Sequence, residues 1–283
     1  MQELAWINGT VSELAAASIP LEDRGFFFGD GVYESIRIYN GKPFRLEDHL
    51  QRLRRSAAAI MLDLADLPKL EAAAPQLIKE SGCPEAYLYI QLTRGVAPRS
   101  HLFPAGVKPT MVMYVRTLPP GFGEAAQNGV ACITVPDERW LRCNIKTINL
   151  LPNVLAKEKA RRAGAYEAIF YRPGGVVTEG SSTNVFAVCG GVIYTHPESN
   201  LILSGITRQV ILELLPAAGL PFKEEAVSLE QLRRAEEIWI SSSTAEIVPV
   251  ISLDGKPVGD GKVGALAREV RQRYRAAVQD CCG

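Results

Sequence analysis

Between residues 31 and 62 the chain changes its hydrophobic period, and that change limits the possible folds more than any other feature. In Gly31 to Asn40 (GVYESIRIYN), Val32, Ile36 and Ile38 fall on one face of an extended chain, and Tyr33, Ser35, Arg37 and Tyr39 on the other, because successive side chains of a strand alternate. After a turn at Gly41, the stretch Phe44 to Leu62 places Leu46, Leu50, Leu53, Ala57, Ile60 and Met61 at helical spacing, with Arg52 on the helix flank. A strand feeding a helix at once calls for an architecture that mixes sheets and helices.

The rest of the chain repeats that mixture. Strand-like runs occur at Ala86 to Thr93 and Pro109 to Thr117, separated by the polar loop Arg94 to Lys108. The Pro-Pro-Gly stretch in 118–122 interrupts the pattern and is the expected linker. Beyond it come a strand at Ala131 to Val135 and a helix at Leu150 to Ala163 that stops near Gly164. Short strands at Tyr166 to Tyr171, Asn184 to Val188 and Val192 to Thr195 follow, with Gly-rich turns. A helix at Gly205 to Gly219, a strand at Glu237 to Ile240 running into the polar turn Ser241 to Thr244, and a helix at Gly264 to Val278 complete the series. The expected class is α+β in two domains: a small N-terminal domain at 1–117, the linker at 118–122 and a larger domain at 123–283.

Thirty-one basic residues balance thirty-one acidic ones, so no overall field draws the chain to nucleic acid or an anionic membrane. The N-terminal segment lacks a basic start followed by an apolar core, and no apolar run approaches the ~20 residues that span a bilayer. Six cysteines occur without a CxxC pair, which argues against a disulfide scaffold or a metal site and for a reducing cytoplasm. The expected ligand is a small molecule.

Two residues stand out chemically. Lys146 follows Ile145 in RWLRCNIKTINLL and precedes the apolar start of a helix; most lysines are solvated surface charges, but an amine among apolar neighbours suits Schiff-base chemistry. Glu179 ends a strand in VTEGSSTNVF. A glutamate beside a glycine is usually a turn residue, yet a buried carboxylate there could keep a pyridine nitrogen protonated. The backbone amides of Ile206 and Thr207 at a helix start form an anion site, to which the Thr207 hydroxyl, Arg52 and the hydroxyls of Ser242 to Thr244 can add.

Taken together, RWLRCNIKTINLL, VTEGSSTNVF, EDRGFFFGDGVY at Glu22 to Tyr33 and the Gly205-Ile206-Thr207-Arg208 turn resemble the signature stretches of class IV pyridoxal-phosphate aminotransferases, from near Ala5 to near Arg271. The resemblance implies a fold type IV enzyme, with a small N-terminal α/β domain, a larger C-terminal domain and pyridoxal 5′-phosphate at their interface. It implies that Lys146 carries the cofactor, that Glu179 partners its ring, and that Arg52, Ser182, Ile206, Thr207, Ser242 and Ser243 surround it. Within the class the chain most resembles the bacterial D-amino acid aminotransferases, through Arg99-Ser100-His101. An arginine and a histidine on a loop are more often a solvated pair; here the resemblance implies a trap for the substrate α-carboxylate, shared with Tyr33 and contributed across a homodimer interface.

The reaction so implied is ping-pong transamination between a D-amino acid, such as D-alanine or D-glutamate, and a 2-oxo acid, 2-oxoglutarate or pyruvate, through a Lys146 Schiff base. Ser35 and Arg37 depart from the apolar residue and lysine usual in D-amino acid enzymes and lean toward the strand of branched-chain aminotransferases. A branched-chain L-amino acid transaminase, an (R)-amine transaminase, an aminodeoxychorismate lyase and a catalytically silent binding protein therefore remain open alternatives.

Overall fold

The computed structural model, which describes residues 2–119 and 123–283, divides by its internal packing into two units. The first holds residues up to Pro119 together with Ile145–Asn149 and Val278–Gly283; the second holds the described residues up to Asn144 together with Leu150–Ala277. Residues 120–122 of the expected linker lie outside the described residues.

In the first unit the chain forms β1 (Leu4–Ile7), β2 (Thr10–Glu13), α1 (Arg24–Phe28), β3 (Gly31–Tyr39), β4 (Lys42–Pro43), α2 (Leu46–Ala59), α3 (Leu67–Ser81), β5 (Ala86–Thr93) and β6 (Thr110–Thr117). The strands make one antiparallel sheet in the order β2-β1-β6-β5-β3-β4. The alternation read from the sequence sets its core: Val32, Ile36 and Ile38 are fully buried and pack with Leu88 and Ile90 of β5, Leu50 and Leu53 of α2, and Leu70 and Leu77 of α3. Each such side chain contributes about 1.5–3 kcal/mol by leaving water. Glu34 shares this apolar face and is equally buried.

The second unit contains α4 (Glu124–Asn128), β7 (Val130–Pro136), α5 (Leu151–Arg162), β8 (Glu167–Arg172), β9 (Val176–Gly180), β10 (Asn184–Cys189), β11 (Val192–Thr195), α6 (Ile206–Ala217), β12 (Phe222–Glu224), α7 (Leu229–Arg233), β13 (Glu237–Ser242), β14 (Glu246–Leu253), β15 (Lys256–Pro257) and most of α8 (Ala265–Cys282). Its nine-stranded sheet runs β12-β11-β10-β13-β14-β7-β8-β9, with β15 paired to β14. Parallel pairings of β7 with β8 and β14, and of β11 with β12, sit among antiparallel ones. A core of Ile169, Val185, Ile238, Ile240, Val248 and Val250 lies on one face.

Two expectations are corrected. The C-terminal domain is not the continuous segment 123–283, because Ile145–Asn149 and the last turn of α8 pack with the first unit; buried Ile145 belongs to that unit's core. The Ser241 to Thr244 stretch is also not wholly a turn. Ser241 and Ser242 extend β13, pairing with Ile247 and Glu246 of β14.

Among the described residues no helix is long and apolar enough to cross a membrane, and no group of His, Cys, Asp and Glu could hold a metal ion.

Candidate active site

Backbone hydrogen bonds fix the lysine against β3. Tyr33 N donates to the Lys146 carbonyl at 2.9 Å, Ile148 N donates to the Gly31 carbonyl at 3.1 Å, and Val32 and Thr147 form an antiparallel bridge. From the other side, Lys146 N donates to Ser56 Oγ at 3.2 Å. With its main chain held, half-buried Lys146 places Nζ 4.3 Å from the centroid of the Tyr33 ring, so two residues singled out from the sequence are brought together. Tyr33 continues into a stack with Tyr89 (centroids 5.6 Å apart) and Tyr114 (4.9 Å beyond).

Arg52 is committed within the same unit. Its Nε donates to Glu34 Oε1 and its Nη2 to Glu34 Oε2, both at 2.7 Å, while His49 Nδ1 reaches Oε2 at 2.6 Å. All three side chains are buried. Burial pushes the Glu34 carboxyl up, but Arg52 and His49 outweigh it and hold the group far below the usual carboxylate range. Burial depresses His49, against the pull of Glu34. The sequence reading missed Glu34 and His49. A glutamate inside an apolar stripe is itself a signal, since a buried carboxylate requires a cation.

Arg99 and His101 are exposed and flank Phe28: the Arg99 guanidinium lies 5.2 Å from its ring centroid and the His101 ring 5.5 Å. Buried Arg24 supports their loop. Its Nη1 donates to the Ser100 carbonyl and, at 3.3 Å, to that of Leu102, and its Nε donates to Asp30 Oδ2 at 2.9 Å. Arg94 shares Asp30 and stacks 3.6 Å from the Phe103 ring centroid. Arg37 pairs with Glu85 and lies 4.7 Å from the ring centroid of Tyr39.

In the second unit Glu179 is buried near the end of β9. Arg139 Nη1 donates to its Oε1, and Leu203 N and Asn184 Nδ2 donate to its Oε2 at 2.9 and 3.1 Å. Arg139 also forks onto Asp137, at 2.9 Å through both Nε and Nη2. Burial pushes the Glu179 carboxyl up, and Arg139 only partly offsets it. Ser182 Oγ donates to buried Glu167 at 2.9 Å. Ser242 Oγ accepts from Ala245 N at 3.1 Å, and Ser243 is half-buried in the turn that follows.

Ile206 and Thr207 open α6 as expected. The residue before them, Gly205, offers no side-chain cap, so the first amides of the helix are donors without an intrahelical partner. A Cβ at Gly205 would stand 2.0 Å from Asn184 Oδ1, and only glycine allows that approach. Buried Ser241 Oγ and Thr183 Oγ1 have no hydrogen-bond partner among the described residues.

The sequence profile of the amino-transferase class IV family matches residues 31–253. The chain is a class IV aminotransferase. This class IV aminotransferase is 46% identical to a D-alanine aminotransferase of Staphylococcus aureus over 279 residues, 98% of each chain. Its fold superimposes on the branched-chain amino acid aminotransferase of Escherichia coli with a TM-score of 0.90, at 27% identity, over 98% of this chain and 94% of the other. A Mycobacterium tuberculosis aminotransferase solved in a PLP-bound form gives a TM-score of 0.87, at 26% identity, over 97% and 98%. The class works with pyridoxal 5′-phosphate. The second unit of this class IV aminotransferase fits such a group: the uncapped start of α6 and the unpartnered Ser241 hydroxyl suit a phosphate, and a buried carboxylate suits a pyridine nitrogen.

Proposed function

We propose that the chain transfers the amino group of a D-amino acid, such as D-alanine or D-glutamate, to a 2-oxo acid, such as 2-oxoglutarate or pyruvate, in a ping-pong cycle. The observation that carries this reading is Lys146, whose backbone is pinned to β3 and whose Nζ is held over Tyr33. When bound, pyridoxal phosphate supplies an electron sink for the charge left at the substrate α-carbon. Lys146 Nζ would hold the group covalently, and as a free amine would be the base that takes the α-proton. Glu179, held by Arg139, Leu203 and Asn184, keeps a proton at the pyridine nitrogen. Arg52, oriented by Glu34, and the α6 amides at Ile206 and Thr207 bind the phosphate, with Ser182, Ser242 and Ser243 completing its surroundings. Arg99 and His101, together with Tyr33, bind the α-carboxylate. They serve the partner's site in a homodimer, consistent with the exposed Leu102 and Phe103 beside them.

The D-preference is supported by the Staphylococcus aureus relative. A branched-chain L-amino acid specificity is the second reading, favoured by Ser35 and Arg37 on the strand that carries Tyr33. A panel of D- and L-amino acids with 2-oxoglutarate and pyruvate separates the two: activity with L-leucine and none with D-alanine or D-glutamate defeats the D-specific reading. Borohydride reduction and peptide mapping test the lysine. The adduct is expected on Lys146 and lost in Lys146→Ala; an adduct on another lysine refutes the assignment.

A further inference from the structure

The second unit contains a cavity of about 480 Å³ that the residues above do not reach. Its wall is α8, where Arg268, Arg271 and Arg275 follow one another at spacings of three and four and so share one helix face. Gln127 of α4 and Gln272 add polar groups, and Pro249 of β14 supplies part of the apolar side. Among the described residues no carboxylate lines the cavity.

Three like charges on one helix face repel one another, and elsewhere on α8 the chain balances its charge: Arg273 pairs with Glu269 one turn before it. On the cavity face, among the described residues, only Arg275 has an acidic partner, Glu246, at 2.6 Å. Arg268, which is exposed, donates to the Val263 carbonyl and has no acidic partner among the described residues. Arg271 Nε is shielded from solvent and has no hydrogen-bond partner among the described residues, and such a donor is costly to leave unmet. The volume lies within the range of small-molecule sites. Guanidinium groups in a fork are the preferred partners of carboxylate and phosphate oxygens.

We propose that this cavity binds a small dianion with a short apolar body, its oxygens held by Arg268 and Arg271 and its apolar part against Pro249. A phosphate monoester and a dicarboxylate share this chemistry. None of the lining residues is among those assigned above to the cofactor or the substrate, so the proposal does not rest on the substrate assigned there.

The test uses the holoenzyme, with ethyl phosphate and succinate as separate probes followed by calorimetry. At least one should bind with a dissociation constant at or below the millimolar range, and the Arg268→Gln/Arg271→Gln double variant should weaken it at least tenfold while transamination is unchanged. Tighter binding of ethyl phosphate assigns the phosphate ester, and tighter binding of succinate the dicarboxylate. A second measurement needs no variant: phenylglyoxal labelling of Arg268 and Arg271 in the wild-type enzyme, read by mass spectrometry, should be suppressed by the bound probe. Absence of binding by both probes, or binding that neither protects these arginines nor responds to their replacement, overturns the proposal.

Discussion

Replacing Arg24 by methionine should disable substrate binding without disturbing the cofactor. Arg24 touches none of the proposed reacting groups, but it ties the Ser100 and Leu102 carbonyls to Asp30 and so fixes the loop that presents Arg99 and His101. A hydrogen bond from a charged donor is worth about 1.5–3 kcal/mol when its partner is left dry. Ser100 and Leu102 are exposed, so their carbonyls regain water, and the 3.3 Å contact is the weaker of the two. The loss is then about 1–2 kcal/mol in the ordering of the loop, or roughly 5- to 30-fold in affinity. Asp30 keeps Arg94, at 2.9 and 3.0 Å, so no buried carboxylate is orphaned and the unit stays folded. Steady-state kinetics with D-alanine should show KM raised by that factor, while the visible absorbance of bound cofactor remains. An unchanged KM would refute both the positioning role and the carboxylate trap it serves; lost cofactor absorbance would show that the loop supports something else.

Other outcomes follow from the same geometry. Glu179→Gln should retain cofactor but slow single-turnover proton abstraction on the order of a hundredfold, because an amide cannot hold the pyridinium proton; stopped-flow traces matching wild type would exclude it as the ring partner. Arg52→Lys keeps a charge but loses the fork onto Glu34, so cofactor dissociation followed by dialysis should be about ten- to a hundredfold easier. Glu34 titrates lower in the folded state than its ordinary 4.5, so the unfolded chain takes up its proton first on acidification. The stability this group contributes is present above the ordinary value and is lost as pH falls. Urea midpoints should therefore drop as pH is taken below 4.5, and Glu34→Gln, itself destabilising by about 3–5 kcal/mol, should show a flatter dependence there. Equal slopes would show that another carboxylate dominates.

Legibility in the sequence followed the strength of each local signal. β3 and α2 were readable because their periods are clean, and α6 because Ile206, Val210, Ile211, Leu214 and Leu215 recur at helical spacing after Gly205. β14 was not: Pro249 sits in a strand paired on both sides, between β13 and β7, where proline ordinarily argues against a strand. Pro75 similarly obscured α3, whose buried Leu70, Ala74, Leu77 and Ile78 otherwise keep helical spacing. At the site, Lys146 and Glu179 stood out because each lies in a distinctive local context. The partners that hold them did not. Arg139 lies forty residues from Glu179, and His49, Arg52 and Ser56 form a polar stripe on a helix otherwise read for its apolar face. Long-range ion pairs leave no periodic trace.

The return of Ile145–Asn149 to the first unit bears on how the chain folds during synthesis. The antiparallel sheet is complete in sequence by Thr117, yet its core still lacks Ile145, and β3 lacks the backbone partners at Lys146, Thr147 and Ile148. Until residue 149 has been made, the nascent first unit carries an unfilled apolar position and an unmatched row of β3 donors and acceptors. Its final consolidation must wait for part of the following unit to be translated, and the same step that closes the core sets Lys146 beside Tyr33. A ribosome-bound chain halted shortly after Thr117 should thus be more open to proteolysis in β3 than one halted well past Asn149.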